Sequence, residues 1–113
     1  MPNQLLQEPS PAKKISTRIN LFKEGEKLVN LGNIYFIAGH ICDAIIYYEQ
    51  ALEIFHQLGE LHAEYNIAIN LGNAYLDRHE PDRALEYYGR ALTIHYQLDK
   101  QNWQKKIFFK LIS

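Results

Sequence analysis

Apolar residues along this chain recur at steps of three and four. Leu28, Leu31, Tyr35 and Ala38 form one such stripe, and Gly39 follows it as a helix stop. A second stripe runs through Ala44, Tyr48, Ala51, Leu52 and Phe55. A third takes Ile67, Leu71, Ala74 and Tyr75; Pro81 then opens a fourth helix, where its missing N–H costs nothing. That helix carries Ala84, Tyr88, Ala91, Leu92 and His95. No sustained alternation and no Asn-Gly or Asp-Gly turn signals a strand or hairpin. Fold class is therefore all-α. Ser16 offers an N-cap for a long first helix starting near Thr17. Residues 1–14, with prolines at 2, 9 and 11, are expected to form a mobile tail, and residues 15–113 the folded domain.

The stripes are copies of one unit. Residues 21–60 laid over 61–100 agree at 15 of 40 positions without a gap, including "NLGN" and the following tyrosine. Unrelated sequences of this composition would share roughly two or three. Self-similarity at a fixed period of this size indicates a solenoid of stacked helix pairs. Repeat 1 covers about 21–60 and repeat 2 about 61–100. Mid-helix glycine costs about 0.5–1 kcal/mol against alanine, so Gly32 and Gly72 need a reason. Close helix packing supplies one, with Ala44/Ala84 and Ala51/Ala91 on the facing helix and Tyr35/Tyr75 and Tyr48/Tyr88 filling the space between.

Leu31-Gly32, Tyr35, Ala44, Tyr48 and Ala51, with their partners forty residues on, resemble the tetratricopeptide repeat. The period of forty is similar to the longer Leu-Gly-Asn variety of that repeat. The resemblance implies an α-solenoid whose first helices line a concave groove that holds a protein or peptide partner. The implied groove positions are Glu26, Val29, Asn30, Asn33, Phe36 and Ile37, then Asn66, Ile69, Asn70, Asn73, Leu76 and Asp77. Five are asparagines, poor helix formers whose carboxamides both donate to and accept from a peptide backbone.

A further shift of forty places Leu111 where Leu31 and Leu71 stand. Residues 101–113 thus read as a third first-helix. It would add Lys106, Phe109 and Lys110 to the groove, with a preference for acidic peptides. Chaperone-binding members of the family grip a C-terminal carboxylate with five residues. Asn33, Asn70, Lys106 and Lys110 match four of those positions, and Val29 replaces the fifth, normally a lysine. Phe108, Phe109, Leu111 and Ile112 spread over much of this helix's circumference. They fit a cap with one apolar side, a longer array, or a self-association surface that makes the chain a structural homodimer. A fourth alternative is a regulatory fragment of a larger signalling system.

Composition narrows the function class. Net charge is −1, from 12 basic and 13 acidic residues, so no global field favours nucleic acid or anionic membrane. Apolar content of 47% suits a water-soluble domain, and no apolar run reaches the ~18 residues of a membrane span. The start has no basic-flanked apolar segment, and the single Cys42 cannot form an intrachain disulfide, so a cytoplasmic setting is expected. The five histidines show no metal-ligand spacing, and no phosphate-binding glycine loop occurs. His56 and His95 are expected to pack at the core edge, and Cys42 to be a structural thiol. The expectation is a non-catalytic interaction module with no cofactor and no metal.

Overall fold

A computed structural model describes residues 8–113. Four helices follow one another: α1 (Pro11–Ile37), α2 (Ile41–Leu58), α3 (Leu61–Asp77) and α4 (Pro81–Ile112). No strand occurs among the described residues. Each helix packs chiefly on its neighbours in sequence, α1 on α2, α2 on α3 and α3 on α4. The result is a flat slab of 53 × 50 × 21 Å, as expected of a helical-repeat solenoid.

The repeat dictates the packing. A Cβ built on Gly32 would lie 2.6 Å from the Tyr48 ring, and one on Gly72 would meet the Tyr88 ring in the same way. Glycine is thus the residue that lets each first helix press onto the tyrosine of its second. Tyr35 stacks on Tyr47 at 5.3 Å between centroids, and Tyr75 on Tyr87 at 5.6 Å. Ala44, Tyr48, Ala51, Leu52 and Phe55 of α2 are all buried, as are Ile67, Leu71, Ala74 and Tyr75 of α3.

Three expectations are corrected. The first helix starts at Pro11 rather than near Thr17. Ser10, not Ser16, is its N-cap, accepting from the Lys13 N–H at 3.2 Å, with Pro11 in the first turn. A serine followed by proline combines the two start signals, whereas Ser16 lies within continuing helix. Residues 11–14 therefore belong to α1; of the expected tail, residues 1–7 lie outside the described ones.

The third first-helix over 101–113 is likewise not a separate element. Residues 81–112 form one helix. Gly59 ends α2 in the left-handed conformation, φ 70°, and its counterpart forty residues on is Asp99. Without glycine the helix runs straight through, since that conformation penalises a residue with a Cβ. At 32 residues α4 is about 48 Å long and overshoots the 17-residue α3. Residues 99–113 are all exposed, so they do not cap repeat 2.

Leu92 departs from the buried stripe of α4 for a related reason. Leu52 is 4% exposed because α3 covers it, whereas none of the four helices lies over Leu92, which is 70% exposed.

Candidate functional site

The crevice between α1 and α3, floored by α2, gathers all five asparagines. One cleft of about 370 Å³ is lined by Phe22, Glu26, Val29 and Asn30 of α1, Phe55 of α2, and Ala63, Asn66 and Ile67 of α3. A second, of about 240 Å³, is lined by Asn33, Phe36 and Ile37 of α1, Tyr48 of α2, and Asn70 and Asn73 of α3. The floor residues Tyr48 and Phe55 are there because Gly32 and Gly25 leave room for their rings beside α1.

Two of the asparagines are tied into the fold. Tyr48 Oη donates to Asn33 Oδ1 at 2.6 Å, and Tyr88 Oη donates to Asn73 Oδ1. Each bond joins the two helices of one repeat, which explains why "LGN" and the second-helix tyrosine recur together. Burial pushes the Tyr48 hydroxyl above the ordinary tyrosine value, keeping it a donor. Asn30, Asn66 and Asn70 make no side-chain hydrogen bond with the described residues. Their carboxamides are open to a ligand's backbone along rims whose floors are aromatic and aliphatic.

Lys106 and Lys110 do not join them. Both lie on the exposed end of α4, around a surface hollow shared with Trp103, Ile107, Phe109 and Ser113. The four-residue approximation to a carboxylate clamp is therefore not assembled within one chain, because α4 never turns back. Phe108, Phe109, Leu111 and Ile112 lie on the same projection, between 59% and 79% exposed.

Two further polar clusters hold the repeats in register. Glu49 of α2 accepts from Tyr75 Oη of α3 at 2.9 Å and from Tyr87 Oη of α4 at 3.1 Å. Burial first, and then the Glu49 carboxylate, push the Tyr87 hydroxyl up to about 12. Glu64 of α3, its side chain only 5% exposed, lies 3.2 Å from His56 Nδ1 of α2 and 3.7 Å from Arg90 Nη2 of α4. Spacing along the chain marks neither carboxylate as a link between helices. The identity Glu24/Glu64 was the available signal, but Glu24 is exposed and only Glu64 lies between two other helices.

His95 is 3.3 Å from Asp99, and Cys42 is exposed. Among the described residues no group of acidic, histidine or cysteine side chains could hold a metal ion, and no helix is long and apolar enough to cross a membrane.

The family model of the tetratricopeptide repeat matches residues 24–97. Neither the curated proteins nor the solved structures give a significant match.

Proposed function

Because this chain belongs to the tetratricopeptide repeat family, whose members act typically as protein–protein interaction modules, we propose that it holds an extended peptide segment of a protein partner in the α1–α3 crevice. The observation that carries this is the set of three uncommitted carboxamides, Asn30, Asn66 and Asn70, beside two apolar-floored clefts. A carboxamide pairs with both the N–H and the C=O of a peptide bond. Such pairing holds an extended backbone without dictating sequence. Selectivity then comes from side chains entering the clefts, where Phe22, Val29, Phe55 and Ile67 form one floor and Phe36, Ile37 and Tyr48 the other. Asn33 and Asn73 serve the site indirectly, by fixing Tyr48 and Tyr88. The protein contributes recognition and no bond chemistry in this reading.

The test is a selection from a random-peptide display library on the purified chain, followed by affinity measurements on the recovered peptides. Asn66→Ala with Asn70→Ala should weaken the selected peptides about tenfold or more, the loss of two hydrogen bonds. Leu85→Ala, on the outer face of α4, should leave them unchanged. Peptides whose affinity ignores the asparagine pair and falls with Leu85→Ala would move the binding site off the crevice.

A further inference from the structure

We infer that α4 pairs with α4 of a second copy of this chain, antiparallel and two-fold symmetric about the step between Asp99 and Lys100. The starting point is how α2 and α3 already pack. They are antiparallel, and His56 meets Glu64 across a centre at residue 60. Forty residues on, the same relation centres close to residue 100, at the Asp99–Lys100 step. There the turn is missing, because Asp99 stands in place of Gly59 and the helix continues. One chain therefore cannot fold its own 101–112 segment onto α4. Two chains can do it for each other, because a centre inside one straight helix is a two-fold axis for a pair of them.

The residues along that face agree with the arrangement. Leu92, Tyr96, Trp103, Ile107 and Leu111 lie on one side of α4 and are 40–79% exposed. About the Asp99–Lys100 step, Leu92 comes opposite the partner's Ile107, and Tyr96 opposite the partner's Trp103. Gly89 comes opposite the partner's Lys110, next to the partner's Leu111. Gly89 is a mid-helix glycine whose Cβ would meet nothing within 4 Å, unlike Gly25, Gly32 and Gly72, each of which accommodates an aromatic ring. Within one chain its cost has no return; opposite the partner's Lys110 and the neighbouring Leu111 it leaves a hollow for their side chains. At the axis Asp99 and Lys100 of one copy face Lys100 and Asp99 of the other, so charges of opposite sign meet twice. The five apolar side chains expose on the order of 600 Å² per copy, and the pair hides about 1,200 Å². That area is at the lower bound of stable specific interfaces, as for a micromolar dimer.

The pairing also changes the crevice. The partner's 101–112 segment takes the place of a third first-helix beside α3. The partner's Lys106 and Lys110 then continue the rows of Asn66 and Asn70, and the groove gains two cations from the second copy. This consequence rests on the crevice reading above, whereas the dimer itself does not.

Light scattering and sedimentation of the full chain at about 100 μM, well above a micromolar dissociation constant, should give a dimer. Leu92→Glu and Trp103→Glu should each raise the dissociation constant about a hundredfold, since every substitution buries a charge twice in the symmetric contact. Both side chains are exposed in the single chain, so helical circular dichroism should be unchanged. With Cys42→Ser, Lys100→Cys should form an intermolecular disulfide on mild oxidation. Gln97→Cys, which lies about 8 Å along the axis from its own copy in the partner, should not. A monomer at that concentration, a dimer indifferent to both glutamates, or equal crosslinking from position 97 would each overturn the pairing. Peptide binding to the Leu92→Glu monomer separates the two readings. Retained binding with a lost preference for acidic peptides is the expected result. Loss of the dimer without any change in peptide preference would remove the composite groove.

Discussion

Single side chains set the spacing of this fold, and their effects can be ranked. Gly32 and Gly72 hold equivalent places, yet Tyr48 is 2% exposed while Tyr88 is half-buried. Tyr48 has nowhere to move. Gly32→Ala should therefore cost about 2–3 kcal/mol and Gly72→Ala about 1 kcal/mol, as read by urea unfolding. The tyrosines also make stability depend on alkaline pH. The Tyr87 hydroxyl is raised from an ordinary value of 10.0 to about 12, chiefly by burial and then by Glu49. The unfolded chain then releases this proton before the folded chain does. Stability from this source is intact below about pH 10 and falls as pH rises towards 12. Burial pushes Tyr48 and Tyr75 in the same direction. Unfolding free energy measured from pH 9 upward should decline across that window, and Tyr87→Phe should flatten part of the decline. The paired Leu-Gly-Asn phrases and tyrosines were legible as packing residues, because period and residue size suffice for that. The hydroxyl bond that occupies Asn33 and Asn73 was not, since a stripe of asparagines looks alike whichever way each carboxamide points.

At the scale of elements, the turns decide where helices end. Gly39 and Gly59 adopt positive φ, and so does His79, φ 60°, in the place equivalent to Gly39. A residue with a Cβ is strained there by about 1 kcal/mol. His79→Gly should recover about that much, seen as a higher urea midpoint with an unchanged slope. Helix periodicity was readable throughout, and the start of α4 at Pro81 and the stop after α1 at Gly39 follow from it. The start of α1 was misplaced because Ser10 and Ser16 are both good caps by residue type. Pro11 after Ser10 is the signal that favours the earlier start, and the helix does run back to it. The fusion of the fourth helix with the expected fifth had a signal, Asp99 in the place of Gly59. Apolar periodicity runs through both stretches and does not show a missing turn.

In the whole molecule, Glu64 ties three of the four helices together, with His56 and Arg90 as its partners. Replacing both His56 and Arg90 by alanine would leave a nearly enclosed carboxylate without a cation. That double substitution should cost about 3 kcal/mol, more than the two single changes added, in a double-mutant unfolding cycle. Sequence sufficed for the repeat, its period, the all-α solenoid and the identity of most core positions. All of these depend on local spacing along a helix, which is a property of the chain itself. It also brought the five asparagines to one crevice, because equivalent positions in stacked repeats share a face. The fate of residues 101–112 depended instead on a single backbone turn. With the turn absent, Lys106 and Lys110 leave the crevice, and Leu92 and Trp103 stay in water. The Glu49 and Glu64 clusters likewise come from helices that meet only after folding. Which groups face one another across helices is set by how the helices stack, and spacing along the chain carries no record of that.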